Sequence, residues 1–202
     1  MNKGSIFVIS GPSGSGKDTI LVKLFEKQPE LCFSISSITR NMRDGEVEGE
    51  KYHFISREEF EDLIKNDMLL EYNEFVGNYY GTPRLPVEEA INCGKDMVIE
   101  VDVNGAKQIR SKMPEVVSIF IMPPSYEELK RRLTGRGTDT EEVIESRLKT
   151  ALDEINRAKE YDYIVVNDKI DQAVNDVLHI ILSEHLKVER QKNKIDEVLE
   201  LC

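Results

Sequence analysis

Gly11, Gly14, Gly16 and Lys17 are spaced so that backbone amides and one ammonium can close around a phosphate. They lie in Gly11-Pro12-Ser13-Gly14-Ser15-Gly16-Lys17, a G-x-x-x-x-G-K string followed by Asp18 and Thr19. Glycine lets the backbone curl without Cβ clashes, so that several N–H groups aim at one centre. A helix that starts there adds its own unpaired N–H groups and partial positive charge. Lys17 supplies a mobile cation for β- and γ-phosphates. A flexible Gly/Ser turn is the plain alternative, and it leaves the lysine without a task. In such strings Ser or Thr usually follows the lysine as a Mg²⁺ ligand. Here the position is Asp18, which reads equally as a first-turn acid favoured by the helix dipole or as a group meeting Mg²⁺ through water.

The net charge of -11 argues against the basic surface of a nucleic-acid binder. Cations that meet phosphate must therefore be gathered locally. Arg40 and Arg43 stand three apart, ahead of Tyr52. Two guanidinium forks and a phenol can pin one phosphate away from the glycine loop, although alone the pair passes for solvated loop arginines. Arg132, Arg136 and Arg147 bracket a polar, glycine-hinged turn over residues 134–140. A mobile segment carrying several arginines suits a lid over a transferring phosphoryl group; singly, each reads as a helix-surface charge. Two phosphate sites, one donor and one acceptor, suggest a kinase whose acceptor is itself a phosphate. A phosphate monoester has a second pKa near ~6, so its oxygen is already ionised at neutral pH. No base is then needed, and positioning with charge stabilisation suffices.

The elements that must hold these groups follow from the apolar pattern. Ile6-Phe7-Val8-Ile9 predicts a strand, and Ile20, Leu21, Leu24 and Phe25 mark the helix after the loop. Further strands are expected over residues 32–36, 52–55, 69–75, 78–82, 97–102, 116–122 and 163–166, with a turn at Gly77. Helices are expected over 57–66, 85–92, 106–113, 125–133 and 170–186. Ser56 and Glu59 form a capping-box pattern for the first of these. A long helix after the hinge carries Val143, Ile144, Leu148, Leu152 and Ile155 on one stripe.

Apolar strands alternating with helices indicate an α/β fold, a parallel sheet covered by helices on both faces. Residues 37–83 break the alternation and read as a small mixed α+β insertion over the strand ends, where ligands of such sheets bind. The core is then 1–36 and 84–186, with the lid at about 125–160, and a polar, helical tail spans 187–202. A length of 202 residues suits one or at most two domains. No run of eighteen apolar residues and no leader-like segment occurs, so neither membrane nor secretion is expected. Cys32, Cys93 and Cys202 are odd in number and scattered, which fits reduced thiols in cytoplasm.

Six strings now carry a family resemblance: SGPSGSGK, SITRNMRDGEVEGEKYHF, EYNEFVGNYYGTPR, IEVDVNGAKQI, FIMPPSYEELKRRLTGRGTDTEEVIESRL and YDYIVVND. In this order and spacing, from Ser5 to Leu186, the chain resembles guanylate kinase, which makes GDP from GMP and ATP. The resemblance implies ATP and GMP as substrates, with dGMP expected alongside GMP, and Mg²⁺ as cofactor. It implies that Ser36, Arg40, Arg43, Tyr52 and Tyr80 hold the GMP phosphate, and that Glu71, Thr82 and Asp102 read guanine. Gly11 to Thr19 and Arg136 would hold ATP, with Asn167 near adenine, and Lys17, Arg43, Arg132, Arg136 and Arg147 would serve transfer. Asp18, Ile38 (where Thr is more usual) and the tail after Leu186 depart from the pattern.

Guanine presents N1–H and N2–H₂ as donors and O6 as acceptor. Glu71 and Asp102 can take its donors, and the Thr82 hydroxyl can donate to O6. Facing adenine those carboxylates lose partners, and such sites discriminate by about 10⁴ or more. Without the resemblance, the two carboxylates read equally as structural. A related kinase with another phosphorylated acceptor and an inactive phosphopeptide-binding module of the same fold are the alternatives. The Glu71/Thr82/Asp102 trio speaks against the first, and the retained Lys17 and lid arginines against the second.

Overall fold

Strand β1 (Ile6–Ser10) is buried at every position, as a strand covered on both faces must be. The structure is a computed structural model and describes residues 3–135 and 140–200. β1 is the middle of a five-stranded sheet whose order is β2 (Cys32–Phe33), β7 (Met97–Glu100), β1, β8 (Val117–Met122) and β9 (Tyr163–Val166). All four pairings are parallel. Phe7 and Ile9 pack on one face against Ile20 and Leu24 of α1 (Lys17–Lys27) and Val174 and Val177 of α7 (Ile170–Glu184). Ile6 and Val8 pack on the other against Val87 and Ile91 of α3 (Arg84–Asn92) and Ala106 and Ile109 of α4 (Val103–Lys112). Each such side chain contributes roughly 1.5–3 kcal/mol when buried. That fixes the rigid floor on which the site stands.

The insertion forms a separate mixed sheet in the order β4 (Tyr52–Phe54), β3 (Ser36–Ile38), β6 (Asn78–Pro83) and β5 (Leu69–Phe75). β3 runs parallel to β4 and antiparallel to β6. β5 and β6 are a hairpin whose two-residue turn, Val76-Gly77, takes positive φ at both positions, the turn form that matches strand twist. Helix α2 (Arg57–Lys65) has the expected capping box, with Glu59 N donating to Ser56 Oγ at 3.1 Å and Ser56 N to Glu59 Oε2 at 2.8 Å.

Helices α5 (Tyr126–Thr134) and α6 (Glu141–Asn156) pack on each other through Leu129, Leu133, Leu148 and Ala151, a cluster apart from the main core. α8 (Val188–Leu199) buries none of its residues. Among the described residues, no helix is long and apolar enough to cross a membrane.

Three expectations change. Residues 32–36 are not one strand: Phe33 pairs with Val98 in the core sheet, while Ser36 pairs with Tyr52 in the other. Ladder partners are a tertiary choice, and the chain changes sheets between them. The strand expected to reach Asp102 stops at Glu100, and the next helix starts early at Val103 because Asp102 caps it. Val143 and Leu152, expected on the buried stripe of α6, are exposed.

Candidate active site

The glycine loop links the C-terminal end of β1 to α1, the edge at which parallel sheets bind ligands. Gly14 and Gly16 both take positive φ, +87° and +83°, where a side chain would be strained. A Cβ on Gly16 would also stand 2.4 Å from Asn167 Nδ2. Asn167 is buried and donates to Ser15 O at 2.7 Å. Arg132 braces the same loop, with Nη1 to Ser15 O at 3.3 Å, Nη2 to Asn167 O at 2.9 Å and Nε to Glu128 Oε1 at 2.8 Å. Arg147 Nη2 reaches Ser13 Oγ at 2.8 Å from α6. Arg136 lies outside the described residues.

Lys17 Nζ lies 2.5 Å from Glu100 Oε1, and Lys51 Nζ lies 3.2 Å from Glu100 Oε2 and 3.4 Å from Asp18 Oδ1. Burial works to raise the Asp18 carboxyl, but the Lys17 and Lys51 ammoniums outweigh it and hold Asp18 below its ordinary value. The residues from Gly11 to Thr19, with Lys51, Tyr52 and Glu100, line a cavity of about 380 Å³.

A second cavity, of about 410 Å³, is lined by Ser36, Tyr52, Glu71, Asn73, Tyr80 and Asp102, among others, and shares Tyr52 and Glu100 with the first. Arg40 stands beside it, its guanidinium over the Tyr52 ring at 5.4 Å. Glu46 grips Arg40 end-on, Oε2 to Nη1 at 2.6 Å and Oε1 to Nη2 at 2.5 Å. Arg40 Nε is buried without a hydrogen-bond partner among the described residues. Nη1 also donates to Asn41 O at 2.9 Å. Glu46 itself is pulled down to about 2 by the hydrogen bond from Arg40 and by the Arg43 backbone N–H. Arg43 is exposed.

Glu71 is 6% exposed. Burial pushes its carboxyl up to about 7, the Thr82 hydrogen bond opposing and the Asp102 charge assisting. Asp102 Oδ1 accepts from Asn104 N at 2.9 Å and Gly105 N at 2.7 Å, and Oδ2 accepts from Asn73 Nδ2 at 3.2 Å. Asp102 is thus an N-cap and a cavity wall together. Thr82 has a protein partner for its hydroxyl. It is 0% exposed, donates to Glu71 Oε1 at 2.7 Å and does not line the cavity. One hydroxyl proton spent on Glu71 is not available for O6.

The two cavities lie side by side, and comparison with known proteins bears on the chemistry. The family model described as guanylate kinase matches residues 3–184. The chain belongs to the guanylate kinase family. A guanylate kinase of Oceanobacillus iheyensis is 50% identical over 198 residues, covering 98% of this chain and 96% of the relative. One of Lactococcus lactis is 48% identical over 200 residues, covering 97% and 98%. The crystal structure of guanylate kinase from Anaplasma phagocytophilum superposes with a TM-score of 0.77 at 38% identity, covering 94% of this chain and 90% of that one.

Within this guanylate kinase fold, four residues escaped sequence reasoning as members of the site. Glu46 and Lys51 fall outside the expected strands and helices, and Asn73 and Glu100 within expected strands, with no role assigned to any of them. The usable signal was local for one only: Glu100 ends the strand beside β1, where such sheets place functional groups.

Proposed function

We propose that the chain transfers the γ-phosphoryl group of ATP to a phosphate oxygen of GMP, yielding ADP and GDP. Membership of the guanylate kinase family supports this, and one observation carries it. The glycine-loop cavity and the cavity holding Glu71 and Asp102 share the walls Tyr52 and Glu100. Two nucleotides laid in them would meet end to end at their phosphates.

The loop amides and Lys17 would hold the donor phosphates, with Thr19 and Asp18 at the mouth. Arg40, Arg43, Ser36, Tyr52 and Tyr80 would hold the acceptor phosphate. Glu71 and Asp102 Oδ2 would accept from guanine N1–H and N2–H₂, with Thr82 holding Glu71 in place. Arg147 and Arg136 would meet charge developing on the transferring oxygens, while Arg132 and Asn167 keep the loop in shape. dGMP would serve as a second acceptor. Residues 37–83 would act as the acceptor-binding part and 125–160 as the lid.

Among the described residues no three His, Cys, Asp or Glu side chains cluster as a metal site. That fits Mg²⁺, which is held mainly by substrate phosphates and waters with one or two carboxylates. Asp18, ionised at the mouth of the loop, would reach it through water. When bound, the ion would neutralise charge between the β- and γ-oxygens.

The test is a screen of nucleoside monophosphates with ATP and Mg²⁺, following ADP release. ADP release that depends on GMP, and that collapses in Lys17→Ala and Arg43→Ala, is expected. Equal rates with AMP or CMP would overturn the assignment of the acceptor.

A further inference from the structure

Lys51 is assigned no part in the roles above, yet it stands where the two cavities meet. It immediately precedes β4, and its backbone carbonyl accepts from Ser36 N at 3.3 Å, which anchors it to the insertion. Its ammonium crosses to the donor side. Nζ is 3.2 Å from Glu100 Oε2 and 3.4 Å from Asp18 Oδ1. Glu100 is therefore held between two ammoniums, for Lys17 Nζ lies 2.5 Å from its other oxygen.

The Glu100 side chain is only 12% exposed, against 47% for Lys51. A carboxylate so buried is costly to leave without a counter-charge. Lys17 is also the cation that a donor phosphate requires. An ammonium seated on Glu100 and one committed to phosphate make competing demands on a single side chain.

We propose that Lys51 is the second counter-ion of Glu100, which releases Lys17 to the donor phosphates. It is a positioning residue that sets ATP affinity from the acceptor side of the cleft. The inference rests on the reading of the glycine loop as the donor site. Charge arithmetic agrees with it. Lys17 and Lys51 balance Asp18 and Glu100, whereas without Lys51 one negative charge is left beside a polyphosphate. The bland alternative is a surface ion pair, which contributes little. It would fit the exposed Asp18 contact but not the contact to Glu100, whose side chain is largely shielded from water.

The experiment uses the full chain, with the Kd of a non-hydrolysable ATP analogue measured by calorimetry and KM for each substrate. Lys51→Met is expected to weaken analogue binding and raise KM for ATP by about tenfold, with KM for GMP within about twofold. Lys51→Arg restores binding. Adding Glu100→Gln to Lys51→Met also restores it, to within about threefold of Glu100→Gln alone, because a neutral amide makes no claim on Lys17. Unchanged affinity in Lys51→Met, or an equal loss with and without Glu100→Gln, would overturn the proposal. Lys17→Ala separates the two readings. If it binds the analogue as the parent does, the donor-site reading falls and this inference with it. If it loses binding while Lys51→Met does not, only the role of Lys51 falls.

Discussion

The Thr82 hydroxyl lies 2.7 Å from Glu71 Oε1 and donates to it, with both residues shut away from solvent. A threonine that reads as a direct partner of the base is here a clamp on Glu71, the carboxylate proposed to face it. The distinction changes what a substitution at Thr82 does, since the loss reaches guanine only through Glu71.

Thr82→Val keeps the volume and removes the hydroxyl. Glu71 Oε1 then loses its partner, and a buried hydrogen bond of about 1.4 kcal/mol corresponds to about tenfold. KM for GMP is expected to rise by about that factor, and the preference for GMP over AMP to erode. Thr82→Ser keeps both. A Thr82→Val chain with the parent's selectivity would show that Glu71 is held by packing alone.

Glu71 also sets a pH dependence. Protonation turns one Glu71 oxygen into an O–H donor and removes the charge that strengthens its bonds to guanine N1–H and N2–H₂, and burial pushes that protonation up to about 7. KM for GMP should climb as pH falls below that value, approaching tenfold per unit. The phosphate of GMP titrates near ~6 as well, so the ratio to the Glu71→Gln profile isolates the carboxylate. Stability runs the other way. From the ordinary value of 4.5 up to about 7 the native chain holds a proton that the unfolded chain releases. Stability therefore falls as pH rises through that window, and Glu71→Gln should raise Tm more at pH 8 than at pH 5. Equal gains at both would place Glu71 in a wetter site.

What the sequence discloses depends on how local each feature is. The donor loop is legible because strand, glycines, lysine and helix are consecutive, and the α2 capping box because its two members are three residues apart. The change of sheets between Phe33 and Ser36 is not legible, because either half could pair with either sheet. Glu46 on Arg40, Lys51 on Glu100 and Asn73 on Asp102 are unions of loops and strand ends brought together only by folding. No periodicity announces them. The bond from Thr82 to Glu71 is likewise invisible in the sequence, since chemistry alone cannot say which way a hydroxyl points.

Glu46 offers a test of acceptor positioning. Its carboxylate takes both terminal nitrogens of Arg40 and so fixes the plane of the guanidinium. Glu46→Gln breaks the two-pronged grip. KM for GMP should rise about tenfold, with kcat changed less than about threefold. Arg40→Lys should fare no better, because an ammonium cannot be held in a fork. A fall in KM for Glu46→Gln would mean that Glu46 competes with phosphate instead of aiming the guanidinium.

Gly105 tests the base wall from behind. It lies in the first turn of α4, where alanine is ordinarily the better helix former by about 1 kcal/mol. A Cβ there would stand 2.9 Å from Glu71 Oε2 and 3.0 Å from Val101 Cβ. A carboxylate in open water would swing away at no cost. Glu71 is buried and its other oxygen is tied to Thr82, so Gly105→Ala must push the carboxylate and its partner together. Helix propensity and crowding oppose each other in stability, and Tm should move by only a few degrees. Recognition has no such offset, because a misplaced carboxylate loses alignment with both guanine donors. KM for GMP should rise by more than about tenfold while KM for ATP stays within about twofold. An unchanged KM for GMP would mean that the wall behind Glu71 yields, and that the close fit of Gly105 serves packing of α4 on β5 and not the base.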